Sequence, residues 1–256
     1  MKNVVLKGIF LSTALVILIF TIEVLLHLSK LSYLYLTPSF ESHDRLVYKI
    51  KPYDAGHDAW GFRNASIPEQ ADIVTIGDSF TYGVSNAANV TWPSVLGSLS
   101  GQRVYNLSIG GYGVAQYEYL LKEYANALKP NMIIVGLYLG DDLAFPNKQL
   151  IKTPPISTNH HDFNLRHWLA KNSILYNATV FSKVGDKIRY LESWLFSDQV
   201  TTPNNIYYAH NGIRTIFTPK TRFNKLNLKK PNVVEGYQRI TERLLAMKRF
   251  CDKRDI

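Results

Sequence analysis

The chain has little sulfur chemistry to offer. Cys251 is its one cysteine, so it has no internal disulfide framework, and thiol usage leaves the compartment open. It carries no Walker phosphate loop, no dinucleotide fingerprint, no clustered Cys/His metal site and no internal repeat. No cofactor or metal is therefore expected. A general basic character is also missing, despite a net charge of +9. Residues 214–256 hold 12 Lys/Arg against 4 Asp/Glu, while the first 213 residues hold 17 against 16. An excess confined to one C-terminal segment argues against nucleic acid as a partner. It fits a solvated helix face and its loop, or an anionic partner such as a lipid headgroup or acidic polysaccharide.

Charge is absent altogether from Gly8 to Ile22, and the run continued to Leu28 covers 21 residues. At about 1.5 Å per residue that length crosses a hydrocarbon core of about 30 Å. Lys2 and Lys7 precede it, which favours an inside N-terminus and an extracytoplasmic domain. No small-x-small cleavage site follows, so residues 8–28 read as an uncleaved anchor in an inner or plasma membrane; a cleaved signal and a buried soluble helix are the rivals. Glu23 and His27 share one helix face near its end and read as interfacial polar groups.

With 256 residues, 46% of them apolar, the chain has room for one α/β domain plus appendages. Residues 29–70 read as an irregular connector in which 60–64 form a compact unit packed on the domain. The domain is expected over 71–256. Asp72–Ile76 reads as a buried strand, 90–100 as a helix, and Arg103–Ile109 as a second strand. A helix over 114–128 is stopped by Pro130, and Met132–Leu139 reads as a continuous buried strand. This rhythm predicts a parallel sheet with helices on its faces. Residues 144–231 read as an insertion. Apolar positions 233, 237, 240, 244, 247 and 251 mark an amphipathic helix.

The chemistry centres on Gly77-Asp78-Ser79-Phe80-Thr81-Tyr82-Gly83. A serine hydroxyl needs exposure, a base and donors for a developing oxyanion. Just past a parallel strand, Ser79 has the exposure, at the end of the sheet where open α/β folds bind ligands. Its spacing differs from the Gly-x-Ser-x-Gly elbow, and Gly-Asp-Ser alone also suits an ordinary N-cap.

From Asp72 to Leu143 these residues resemble the SGNH/GDSL hydrolase superfamily. The resemblance implies a three-layer α/β/α fold, with Ser79 as nucleophile. Asn106 to Gly113 is similar to the family's second block, which implies that the Gly111 amide joins the oxyanion hole. The third block is normally Asn-Asp; here Gly140-Asp141-Asp142-Leu143 holds the place. Asp141 is acceptor-only unless protonated. Three readings stay open: an altered but working hole, a fold with weakened catalysis, and another residue as donor.

The family's fourth block, Asp-x-x-His with the basic histidine, has no counterpart after Ser79. Asp54 and His57 have that spacing but precede the serine, so His57 reads as a connector histidine. His160, His161, His167 and His210 read as surface or packing residues. The expectation is that the base lies beyond Ile256. Asn64, Asn89, Asn106 and Asn177 match glycosylation sequons, a pattern that arises readily by chance. The resemblance implies a membrane-anchored esterase or acyltransferase acting on O-acyl carbohydrate. A lipid or lysophospholipid esterase is the alternative in the same class. A non-catalytic polysaccharide-binding or assembly factor is the alternative from another class.

Overall fold

A computed structural model describes residues 2–84, 86–138, 165–182, 184, 185, 187, 206–210, 213–217 and 226–256. The chain opens with α1 (Lys2–Leu28). Its segment Asn3–Leu28 is long and apolar enough to cross a membrane, and none of the segment's most apolar window is buried. That exposure removes the reading of a buried soluble helix. Eight helical elements of α type and seven strands are described. After α1 come α2 (Ser32–Tyr35), β1 (Phe40–His43) and β2 (Val47–Ile50). Next are β3 (Ile73–Gly77), α3 (Ser79–Tyr82), α4 (Trp92–Ser100), β4 (Val104–Asn106), α5 (Val114–Glu123) and β5 (Met132–Gly136). The rest comprises α6 (Leu165–Asn172), α7 (Ile174–Val180), β6 (Ile206–His210), β7 (Ile213–Phe217) and α8 (Pro231–Asp252).

The central sheet is parallel, in the order β4-β3-β5. All five residues of β3 are buried, as befits a central parallel strand. The chain passes from β3 to one neighbour and then across to the other, so the middle strand is the switch point of the sheet. Loops after β3, β4 and β5 leave the same end.

Two expectations need correcting. Residues 29–70 are not wholly irregular: within them β1 and β2 form an antiparallel hairpin, with Phe40 opposite Ile50. Leu46, Tyr48, Ile50 and Phe62 are buried in the main core beside Tyr105, Tyr112 and Tyr117. Full burial of such side chains contributes roughly 1.5–3 kcal/mol each, so this segment is a structural layer and not a tether. Alternating Leu46, Tyr48 and Ile50 carry the period-two signal, diluted by exposed Arg45 and Lys51. The second correction concerns β5, which is only half-buried, with Met132 52% exposed. Among the described residues it pairs with β3 alone.

The helix expected over 114–128 breaks at Tyr124 into α5 and a short 3-10 turn, Ala125–Leu128. In α8, Val233, Ile240 and Met247 are buried, but Tyr237 is 55% exposed and does not belong to the apolar face. The basic residues of α8 are largely paired on its surface: Arg239 with Glu235, Arg243 with Glu118, Lys248 with Asp252. Of the stretch 144–231, α7 packs against α1, α2 and α6, while β6 and β7 pair with each other.

Candidate active site around Ser79

Asp78 caps α3, its carboxylate accepting the Phe80 N–H at 2.9 Å. The ordinary N-cap and the exposed-serine readings are thus compatible: the cap sets the turn that leaves Ser79 half-buried and Phe80 63% exposed. Gly83 closes α3 with φ +78°, and a Cβ there would lie 2.2 Å from the Thr91 methyl. Gly77 is tight for another reason. A Cβ on it would meet the Thr81 hydroxyl at 2.2 Å. Glycine is required at both ends of this turn.

Ser79 opens into a cavity of about 450 Å³ that Gly110 and Gly111 also line. A Cβ on Gly110 would stand 3.6 Å from Ser79 Cβ, so this peptide passes directly beside the serine. Gly111, the residue that the resemblance singled out, adopts φ +86°. Tyr48 donates its hydroxyl to the Gly110 carbonyl at 2.8 Å. A trans peptide sets its N–H opposite its C=O, so this bond aims the Gly111 N–H away from Tyr48. The backbone of Tyr48 in turn accepts the Tyr112 hydroxyl at 2.6 Å. Burial pushes the Tyr48 phenol well above its ordinary range, so it stays a proton donor. Among the described residues, the N–H groups of Ser79, Gly110 and Gly111 donate no hydrogen bond.

Asn106 ties the end of β4 to the turn that carries Ser79. Its amide donates to the Thr81 carbonyl at 3.0 Å and its carbonyl accepts the Ser108 N–H at 3.1 Å. Asn64 pairs with the Asn106 backbone in both directions, at 3.1 Å each. Asn106 and Asn177 are buried and their amides are engaged, so their sequons describe packing. Asp58 accepts from Tyr105, Trp60, Phe62 and Asn64, which explains the compactness of residues 60–64. Burial raises the pKa of Asp58, and these four donors oppose the rise.

Sequence reasoning did not find Arg63. Its side chain is 7% exposed and lines the cavity. It donates to the carbonyls of Tyr33, Leu34 and Gly83 at 3.0, 2.7 and 2.9 Å. The C-terminal carbonyls of α2 and α3 thereby share one guanidinium, which fastens the connector to the turn that carries Ser79. The only advance signal was a cation inside the apolar unit Trp60-Gly61-Phe62-Arg63.

His57 is a core residue, 2% exposed. Its Nδ1 lies 3.0 Å from the Asp54 carbonyl and its Nε2 2.9 Å from the Tyr82 hydroxyl. A carbonyl can only accept, so Nδ1 carries the proton and Nε2 accepts from Tyr82. No ring lone pair is left for Ser79. Burial, helped by the Arg63 charge, lowers the His57 pKa to about 4. His167 is exposed on α6 and His210 ends β6. Asp141, His160 and His161 lie outside the described residues. Among the described residues, no group of three or more His, Cys, Asp or Glu side chains is gathered as a metal site.

No family model, curated protein or solved structure matches the chain. The arrangement therefore stands on its own chemistry. A half-buried serine lies at the switch point of a parallel sheet, beside a glycine-rich peptide whose N–H groups meet no acceptor among the described residues, in a mostly apolar cavity.

Proposed function

We propose that this chain is a serine-dependent ester hydrolase or acyltransferase of the SGNH/GDSL type. The observation that carries the reading is the shared cavity of Ser79, Gly110 and Gly111 at the carboxyl end of the central strand. Ser79 Oγ attacks the acyl carbonyl as a base takes its proton, the amides of Ser79 and Gly111 receive the oxyanion, and collapse of the intermediate breaks the ester C–O bond, releasing the alcohol with that proton and leaving an acyl-serine. Asp141 holds the third-block position. The acyl group passes to water or to a sugar hydroxyl, with O-acyl groups of cell-surface carbohydrate as the substrate class. α1 holds the domain on the far side of an inner or plasma membrane, with Lys2 and Lys7 inside.

A test is the turnover of a small acetyl ester by the full-length protein in detergent. Turnover that disappears in Ser79→Ala supports the reading; equal rates in both proteins contradict it. Saturable glycan binding without turnover would favour a binding module instead. The lipid-esterase reading draws support from the apolar walls of the cavity, described next.

A further inference from the structure

The cavity beside Ser79 is walled by the stretch of chain that leaves the membrane. The 21 residues from Gly8 to Leu28 would span about 32 Å as a helix, close to the roughly 30 Å of a hydrocarbon core, so the end of α1 stands at the bilayer surface. Tyr35, Leu36, Pro38 and Phe40 follow directly in sequence, and all line the cavity. Phe181, just past α7, completes this wall with its ring stacked on Tyr35 at 6.4 Å.

α7 is itself fixed to the membrane helix. Glu23 accepts the Ser173 hydroxyl at 2.8 Å and the Ile174 N–H at 2.6 Å. The carboxylate of α1 thus caps the N-terminus of α7, and His27 lies 3.2 Å from the Asn172 carbonyl. The adjoining α6 exposes Leu165 and Trp168 beside Arg166 and Lys171, the composition of a helix lying at a bilayer interface. Near the serine, Val84 and Phe80 are 55% and 63% exposed. Arg63 is the one charged side chain among the described lining residues, and its guanidinium is engaged by backbone carbonyls. An apolar space of about 450 Å³ is suited to a small ligand's hydrocarbon part.

We propose that this cavity receives the aliphatic chain of an acyl ester drawn directly from the bilayer. The ester carbon lies at Ser79 and the polar remainder, the carbohydrate of the reading above, stays in water. The inference rests on that reading for the position of the ester; the occupant of the wall follows from the packing of α1, α2 and α7.

The experiment uses the full-length protein in phosphatidylcholine nanodiscs. These contain a phosphatidylcholine with a diazirine at the end of one acyl chain, and photocrosslinked peptides are mapped by mass spectrometry. Crosslinks are expected on the segment Tyr35–Phe40 and around Phe181, in addition to α1. Val84→Asp, a change at an exposed position, should lower the wall crosslinks about tenfold by placing a charge at the cavity mouth, while crosslinks on α1 persist. Crosslinks confined to α1, or wall crosslinks unchanged by Val84→Asp, would overturn the inference. Fluorophosphonate labelling of Ser79 in the same sample separates the two claims. A reactive Ser79 without wall crosslinks sinks the lipid occupant and leaves the hydrolase reading standing. Wall crosslinks with an inert Ser79 uphold the occupant and sink the reading beneath it.

Discussion

Acidification should destabilise this domain through His57, and the size of the effect follows from its surroundings. In the folded chain burial of the ring, and after it the Arg63 charge, lower its pKa from 6.5 to about 4, against the opposing pull of the hydrogen bond to the Asp54 carbonyl. In the unfolded chain it titrates near 6.5, so between the two values the unfolded state binds more protons. Stability from the neutral ring is therefore fully present above about pH 6.5 and is lost as pH falls towards 4. At about 1.4 kcal/mol per pH unit the whole window amounts to roughly 3 kcal/mol, a large share of a domain's usual 5–15 kcal/mol. Thermal unfolding of the full-length protein in detergent, followed by tryptophan fluorescence at about pH 7 and about pH 4.5, measures it. His57→Gln keeps a donor and an acceptor but does not titrate. The wild type should lose about 2–3 kcal/mol more than the variant between those conditions. Parallel losses would show that His57 is not buried neutral. They would also reopen it as a candidate base.

Other consequences concern the site and its supports. Tyr48→Phe removes one hydrogen bond from the Gly110 carbonyl, so ester turnover should fall about three- to tenfold with little change in melting temperature; equal rates would remove Tyr48 as a positioning residue. Glu23→Ala leaves Ser173 capping the Tyr176 N–H but strips the acceptor from the Ile174 N–H and the Ser173 hydroxyl, at a cost of about 1 kcal/mol, and limited proteolysis should then cleave faster within residues 165–182. Unchanged cleavage would mean that α7 is held by packing alone. Gly83→Ala meets both a positive φ and the Thr91 methyl, so it should destabilise the fold by more than about 1 kcal/mol, read as a lowered midpoint of denaturation.

The parallel β3-β4-β5 core was legible because its strands are short apolar runs punctuated by Gly, Asn and Pro. The turn that carries Ser79 was legible because Gly77, Ser79 and Gly83 stand at fixed offsets. The connector hairpin was not. Its alternating Leu46, Tyr48 and Ile50 span a single short period-two stretch, with Lys49 and Lys51 between and after them, so the segment read as an irregular connector. Arg63 was missed because its partners are backbone carbonyls from α2 and α3, which leave no mark on composition. The role of Glu23 was half visible: its place near the end of α1 suggested an interfacial group, but its partners at Ser173 and Ile174 lie about 150 positions away. The break at Tyr124 reflects tertiary packing of its ring against Trp60 and Phe62, which no local propensity encodes.

The most direct test of Ser79 as the nucleophile is covalent. The full-length protein is treated with a fluorophosphonate and its peptides are mapped by mass spectrometry. One adduct is expected, on Ser79, and none in Ser79→Ala. An unmodified Ser79, or labelling that persists unchanged in Ser79→Ala, would contradict the account.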